Sequence, residues 1–174
     1  MISEQYRFIF VHIPKTAGNA LQSILTNYSG DSLITRANKD GIHRFGVENA
    51  LGTTKHSTLS DYFAALGPHG FWTKRRFACI RNPWDRAVSF YFSSHRGRSV
   101  WDRNEFIQVL DEIHPMVDYL RLPNDPPALP PDINIDFLLR YERLQEDFDR
   151  LCNMLRFDKQ PLAVRNPSER LSYP

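Results

Sequence analysis

The chain lacks the features that mark disulfide-bonded, membrane-spanning and strongly polyanion-binding proteins. Only two of its 174 residues are cysteines, and its 22 lysines and arginines are nearly balanced by 20 aspartates and glutamates. Two cysteines make no disulfide framework, and a net charge of +2 argues against a broad surface for nucleic acid or a membrane. Because we find neither a signal peptide nor an apolar run long enough to span a bilayer, the sequence predicts a cytoplasmic protein.

What the sequence does have is enough apolar material for a core. A hydrophobic content of 41% in 174 residues predicts one domain spanning residues 1–174. Cys79 lies in an apolar run, and Cys152 lies on the apolar face of a predicted helix. We therefore expect both cysteines to be packing residues rather than metal ligands or nucleophiles.

Short β-branched and aromatic runs alternate with helical patterns along the chain. Buried strands are predicted at residues 8–13, 76–81 and 133–141. Each run is followed by apolar residues at helical spacing, most clearly in residues 144–155. This alternation predicts an α/β fold with a central, mainly parallel sheet flanked by helices.

Local signals place the starts and stops of further helices. Thr58, followed three residues later by Asp61, resembles a capping box, and Gly67 with Pro68 predicts the end of that helix. Asn82 is a favourable N-cap for a helix that begins after the second strand. Another helix is predicted at residues 106–113, whereas residues 30–55 give no firm assignment.

The first loop that suits an anion, the lysine loop (residues 14–20), follows the first strand. In an open parallel sheet, ligands bind beyond the carboxyl ends of the strands, where helix N-termini present free N–H groups. Small residues let the backbone approach a phosphate, and Lys15 and Thr16 add a positive charge and a hydroxyl. The lysine precedes Gly18, so the loop is not the usual triphosphate-binding sequence. A plain strand-to-helix turn is the alternative.

The second such loop, the arginine loop (residues 81–89), follows the second strand. Arg81 at the strand end can hold a phosphate in bidentate fashion, and Ser89 can donate a further hydrogen bond. We interpret Asp85 as a residue that caps the helix, and Arg86 as a solvent-exposed helix charge.

Together the two loops resemble the paired signatures of sulfotransferases that use 3′-phosphoadenosine 5′-phosphosulfate (PAPS), especially the branch with carbohydrate and heparan-type enzymes and their bacterial relatives. Residues 10–18 resemble the family's 5′-phosphosulfate loop, and residues 77–91 resemble its 3′-phosphate motif. Residues 135–144, with their Arg-Tyr-Glu-x-Leu pattern, and residues 166–170 are weaker matches. The resemblance implies the P-loop nucleotide-hydrolase-like fold of these enzymes and PAPS as co-substrate, with no metal.

The resemblance also implies a role for individual residues in holding the donor. It places Lys15 at the bridging oxygen, Thr16 and the backbone N–H groups of Ala17, Gly18, Asn19 and Ala20 around the phosphosulfate, and Arg81 with Ser89 at the 3′-phosphate. Many relatives carry Thr and Ser at the positions of Asn19 and Ala20, so hydroxyl contacts are lost here. Relatives usually continue into a further helix beyond the position of Pro174.

The acceptor hydroxyl needs a general base, for which we select His56 because related enzymes have a catalytic histidine in a comparable region. His43 is the alternative base, and a plain surface position is the alternative reading of His56. His12 is expected to be structural. We expect three other histidines at the surface: His69, His95 and His114.

The acceptor itself is not readable beyond a hydroxyl-bearing molecule such as a saccharide. We expect its binding wall in residues 30–55 and 93–131, which carry Phe45, Trp101 and Tyr119. Three arginines there suit an acidic saccharide or form a solvated charge cluster: Arg96, Arg98 and Arg103. A non-catalytic nucleotide-binding domain and, with less support, a P-loop kinase are the competing interpretations of the whole chain.

Overall fold

The computed structural model describes residues 1–34, 46–93, 96–126, 130 and 134–163. The strands are β1 (Ile2–Ser3), β2 (Phe8–Val11), β3 (Ser32–Ile34), β4 (Gly46–Glu48), β5 (Arg75–Ile80) and β6 (Phe137–Arg140). The α-helices are α1 (Gly18–Leu25), α2 (Leu59–Trp72), α3 (Pro83–Tyr91), α4 (Arg103–Asp111) and α5 (Leu144–Leu155), with short 3₁₀ turns at Thr26–Tyr28, Met116–Tyr119 and Tyr141–Arg143.

The central sheet has the strand order β1, β2, β5, β6. β5 pairs in parallel with both β2 and β6, whereas β1 pairs antiparallel with β2. β3 and β4 form a separate antiparallel pair. The predicted α/β fold with a mainly parallel sheet is thus confirmed.

Alternating side chains of the strands build a core on each face of the sheet. Phe8 and Phe10 pack with Phe77 on the face covered by α1 and α5. Ile9 and Val11 lie on the other face, which α2 and the segment around Leu120 cover. This two-sided burial explains why the strands read as continuous apolar runs rather than as alternating ones.

Both cysteines are buried and reduced, as predicted. Burial raises the pKa of the Cys79 thiol to about 12 and that of Cys152 to about 11. Thiols with such high pKa values form almost no thiolate at neutral pH, so they act as small apolar side chains here.

The predicted caps are present, but two helices differ from their predicted bounds. Thr58 and Asp61 form the capping box of α2. Gly67, at φ 66°, interrupts this helix, yet helical backbone resumes and continues to Trp72. The helix predicted at residues 106–113 begins earlier, because Asp102 accepts from the Glu105 N–H and caps α4.

The third strand is shorter than the sequence indicated. Residues 133–141 were expected to be extended, whereas over residues 134–141, the described part of this range, β6 comprises only Phe137–Arg140. Asp136 precedes the strand and uses its carboxylate on Arg76 instead. In the described part of the chain, no helix is both long and apolar enough to cross a membrane.

Candidate functional site

The site forms at the carboxyl ends of the parallel strands, where three loops meet. The lysine loop follows β2, the arginine loop follows β5, and the turn that begins with Tyr141 follows β6. Because neighbouring parallel strands end at the same edge of a sheet, residues far apart in sequence converge there.

The lysine loop has an unusual backbone. Lys15 and Ala17 both adopt φ 69°, in the left-handed region that residues with a side chain rarely enter. Ala17 is the N-cap of α1, and its side chain makes no capping bond, so the N–H groups of the first turn have no side-chain acceptor from the cap. Such a conformation persists only where the surrounding structure enforces it, and it is concentrated at functional sites.

Thr16 differs from the role that the resemblance implied for its hydroxyl. Its side chain is fully buried, and Oγ1 donates to the carbonyl oxygen of Ile13 at 2.9 Å. This bond closes the loop on itself. The hydroxyl hydrogen is therefore used within the loop.

Gly18 begins α1 directly against the ring of His12. A Cβ at Gly18 would lie 1.9 Å from both Cδ2 and Nε2 of that ring. His12 is 4% exposed and cannot easily move aside. The loop therefore needs a residue without a side chain at this position.

Arg81 connects the lysine and arginine loops. Its side chain is buried, and Nη1 donates to the Lys15 carbonyl oxygen at 3.3 Å. The guanidinium also stacks on the ring of Tyr141, 3.8 Å from the ring centroid. Its Nε is buried without a hydrogen-bond partner among the described residues. A buried cation with an unused donor is suited to an anionic ligand.

The turn after β6 supports the arginine loop from the other side. Glu142 accepts the Asn82 N–H at 2.7 Å, and the Asn82 side chain caps α3. Arg140 forms paired hydrogen bonds with Asp147 and so fixes α5 to the strand. The sequence pattern at residues 140–142 was visible, but the contact of Tyr141 with Arg81 was not foreseen.

Arg86 corrects a sequence-based expectation. Instead of a solvent-exposed charge it is a buried clamp, 4% exposed. Nε donates to the Pro14 carbonyl and Nη1 to the His114 carbonyl, both at 2.9 Å. Burial lowers the pKa of the guanidinium, although nearby Tyr119 opposes the shift. Periodicity alone could not reveal this role, since both acceptors are backbone atoms of distant segments.

His56 lies beside the lysine loop on an exposed turn before α2. Its Nδ1 is 3.0 Å from the carbonyl oxygen of His12, and the two rings are 4.7 Å apart. A carbonyl oxygen only accepts hydrogen bonds, so Nδ1 carries the proton and a neutral His56 ring has its lone pair on Nε2. This tautomer suits a proton acceptor.

Burial, together with the charges of His56 and Lys55, lowers the pKa of His12 well below its ordinary value. His12 is therefore neutral at physiological pH. The expectation that it is structural agrees with its burial against Gly18 and its contact with the His56 ring.

The remaining site predictions divide between described and undescribed residues. Ser89 is partly buried on α3, one helical turn after Arg86. His69 and His114 are exposed, as expected. His43, the alternative base, and His95 lie outside the described residues, as do Phe45 and residues 166–170.

A segment that we call the strap (residues 114–121) crosses the edge of the site. Arg86 holds its first carbonyl, and Ser60, at the start of α2, donates to the Arg121 carbonyl at 2.7 Å. Met116 and Tyr119 pack against the core beneath. Burial raises the pKa of Tyr119, while the Arg86 charge opposes the shift. The strap thus spans the space between the arginine loop and the helix that follows His56.

The arginines considered for an acidic saccharide are partly neutralised. Arg96 pairs with Glu112 at 2.5 Å and Arg98 pairs with Glu105 at 2.8 Å. Arg103 is exposed on α4. Arg96 and Arg98 therefore fit the second alternative, a charge cluster that joins α4 to the segment before it.

By contrast, the two arginines at the lysine loop have no carboxylate partner among the described residues. Arg81 donates to the Lys15 carbonyl, and Arg86 donates to the preceding carbonyl of the same loop, that of Pro14. Two buried positive charges and a nearby lysine side chain produce a local positive potential in a protein of almost balanced charge.

Comparison with known proteins agrees with this arrangement. The family model described as "Sulfotransferase family" matches residues 1–173. No curated protein and no solved structure gives a significant match.

Proposed function

Since the chain belongs to the sulfotransferase family, we propose that it transfers a sulfuryl group from PAPS to an acceptor hydroxyl. The supporting observation is the contact of Arg81 with the Lys15 carbonyl, which brings the lysine and arginine loops together at the proposed donor cleft. We also propose that residues 1–174 form one domain of the P-loop nucleotide-hydrolase-like type. The cytoplasmic location stays a prediction.

The cleft offers separate seats for the two ends of the donor. The N–H groups of Ala17, Gly18 and Asn19 and the Lys15 ammonium would hold the 5′-phosphosulfate, which the helix N-terminus favours. The Ala20 N–H, which the resemblance also placed there, already donates to the Ala17 carbonyl oxygen at 3.0 Å. Arg81 and Ser89 would hold the 3′-phosphate. The unused Nε of Arg81 and the missing carboxylate partners of the two buried arginines support a ligand with several negative charges.

The transfer is an in-line displacement at sulfur. The acceptor oxygen forms a bond to sulfur while the bond from sulfur to the bridging oxygen breaks, releasing adenosine 3′,5′-bisphosphate. Charge develops on the bridging oxygen, where the Lys15 ammonium would stabilise it. Positioning and electrostatics suffice for such a reaction, as in phosphoryl transfer.

His56 is the proposed general base. Its Nδ1–H is committed to the His12 carbonyl, so Nε2 would receive the proton of the acceptor hydroxyl. The carbonyl also fixes the ring orientation next to the lysine loop. In this respect a backbone oxygen supplies what a carboxylate supplies in many catalytic histidine pairs.

The strap is the proposed acceptor wall. It runs from the contact with Arg86 to the start of α2, the helix that follows His56. Met116 and Tyr119 are partly buried against the core, and the faces they leave exposed would contact the ring of a saccharide or another hydroxyl compound.

Titration calorimetry with adenosine 3′,5′-bisphosphate, compared with ATP and Mg²⁺, tests donor identity. We expect saturable binding of the bisphosphate and weaker binding of ATP. Transfer of labelled sulfate from PAPS to a panel of hydroxyl compounds then tests catalysis. Binding of the bisphosphate without transfer to any acceptor would indicate a non-catalytic domain, and magnesium-dependent ATP turnover would indicate a kinase.

A further inference from the structure

A second cationic cavity lies at the other end of the parallel strands, where their amino ends are. Its volume is about 430 Å³, within the range of small-molecule sites. It forms where β5 begins and α2 and α5 end, away from the lysine loop at the carboxyl ends of the strands. It is lined by Tyr6, Arg7, Trp72, Thr73, Lys74, Arg75, Arg76, Asp136, Met154, Leu155 and Arg156.

Positive charge exceeds negative charge in this lining. Lys74 pairs with Glu4, and Arg76 pairs with Asp136. The other three cations, Arg7, Arg75 and Arg156, are exposed and form no ion pair with any described residue. In a protein with a net charge of +2, this excess is a concentrated positive patch.

Arg76 adds an unsatisfied buried donor. Its Nε and Nη2 bind Asp136, but Nη1 is buried without a hydrogen-bond partner among the described residues. The guanidinium lies 4.7 Å from the ring centroid of Trp72, which is 52% exposed. An oriented arginine beside an exposed indole is suited to a ligand that combines an oxyanion with a ring.

Backbone strain marks the same place. In the described part of the chain, four residues other than glycine have positive φ. Two of them, Lys15 and Ala17, belong to the lysine loop, and the other two, Arg7 and Arg156, line this cavity. Arg156 caps α5 at φ 61°, where glycine is the usual residue. An arginine at this position therefore carries a conformational cost that a glycine would not.

We propose that this cavity is a second ligand site, which binds a small sugar-like ring carrying a sulfate or phosphate ester. Arg75 and Arg156 bind the ester oxygens, and Trp72 contacts the ring. The site is separate from the donor cleft and does not depend on the function assigned there. No chemical step occurs in it.

Titration of the full chain with galactose 6-sulfate, galactose 6-phosphate, inorganic sulfate and galactose tests this assignment. Each titration is carried out without and with saturating adenosine 3′,5′-bisphosphate, and the titration without it decides whether an ester binds. We expect one site that binds either ester at least tenfold more tightly than galactose or inorganic sulfate, since both the charge and the ring contribute. The ratio of the dissociation constants of the two esters shows whether the site prefers sulfate or phosphate. Equal binding of inorganic sulfate, or no saturable binding of either ester, overturns the proposal.

Four variants locate the binding. Arg75→Ala and Arg156→Gly are each expected to weaken ester binding about tenfold, as the loss of a charge-assisted hydrogen bond does. Arg156→Gly suits the left-handed backbone, so a loss of affinity with retained thermal stability cannot be attributed to unfolding. Arg150→Ala, which removes an exposed arginine of α5 outside the lining, is the matched control and should change nothing. If Arg81→Ala weakens ester binding while the cavity variants do not, the ester occupies the donor cleft and the proposal is wrong.

Discussion

The Nη1 atom of Arg81 donates to the carbonyl oxygen of Lys15 at 3.3 Å, although 66 residues separate the two in the sequence. The contact aligns the ends of two neighbouring parallel strands, so that a ligand held by one loop is within reach of the other. The same guanidinium stacks on Tyr141, which brings the third strand of the parallel group into the arrangement. Depending on the residue, a substitution at the site should therefore change nucleotide affinity, transfer rate or stability.

Arg81→Ala should weaken binding of adenosine 3′,5′-bisphosphate by about 10- to 100-fold, because a charge-assisted bond to phosphate is lost in a buried position. Arg81→Lys should recover only part of the affinity, since a lysine can neither form two parallel bonds nor stack flat on Tyr141. Calorimetry measures both variants. Arg103→Ala serves as the control, and unchanged affinity in Arg81→Ala would contradict the assigned 3′-phosphate seat.

His56→Ala should reduce the transfer rate by about 10²- to 10⁴-fold, as expected for a general base, and leave nucleotide affinity unchanged. A stopped assay with labelled PAPS measures the rate, and calorimetry with adenosine 3′,5′-bisphosphate measures the affinity. Turnover equal to that of the wild type would show that another group accepts the proton.

The stability of the protein should fall as the pH is lowered through the range in which an ordinary histidine takes up a proton. His12 has a lowered pKa in the folded state, whereas in the unfolded chain its pKa is about 6.5. Below that pH the unfolded state binds a proton that the folded state does not, so unfolding is favoured by up to about 1.4 kcal/mol per pH unit.

Thermal unfolding between pH 7.5 and 5.5 measures this dependence, with His12→Gln as the comparison. The melting temperature of the wild type should fall more steeply on acidification. Parallel curves would mean that His12 titrates normally.

Gly18→Ala should destabilise the protein by about 1–3 kcal/mol, the usual cost of overpacking a closed interior. The new Cβ would lie 1.9 Å from the His12 ring. In the double variant Gly18→Ala, His12→Ala the ring is gone, so the two effects should combine to less than their sum. Denaturant unfolding of the four proteins gives the coupling free energy. Simple additivity would exclude the steric explanation.

The sequence predicted the features that depend on residues close together in the chain. The apolar runs and the caps at Thr58 and Asn82 are local patterns, and they located the three parallel strands, the starts of α2 and α3 and both loops of the site. The prediction that Gly67 and Pro68 end the helix was wrong, because Gly67 interrupts it but helical backbone resumes to Trp72. β1 comprises two residues and has no pattern to detect.

Local patterns could not predict the tertiary contacts. Arg86 looks like any helix charge, because its acceptors lie 72 and 28 residues away and are backbone oxygens that every residue possesses. Tyr141 was part of a recognised motif, yet only the pairing of β6 with β5 brings it to Arg81. The orientation of His56 depends in the same way on the carbonyl of His12, 44 residues distant.

Arg86→Lys should therefore be nearly as damaging as Arg86→Ala, although it conserves the charge. The arginine donates to two carbonyl oxygens, those of Pro14 and His114, through separate nitrogens. A lysine carries a single ammonium group, which cannot reach both oxygens. Both bonds are partly buried, and a typical hydrogen bond contributes about 0.5–1.5 kcal/mol, so we expect a loss of about this size in denaturant unfolding.

The two variants also probe whether the clamp shapes the site. Because one bond holds the lysine loop and the other holds the strap, the lysine variant should lose transfer rate more than affinity for adenosine 3′,5′-bisphosphate, which Arg81 still binds. Ser89→Ala on the same helix is the comparison: it should weaken nucleotide binding without a matching loss of stability. If Arg86→Lys matches the wild type in both stability and rate, a positive charge alone is what this position requires.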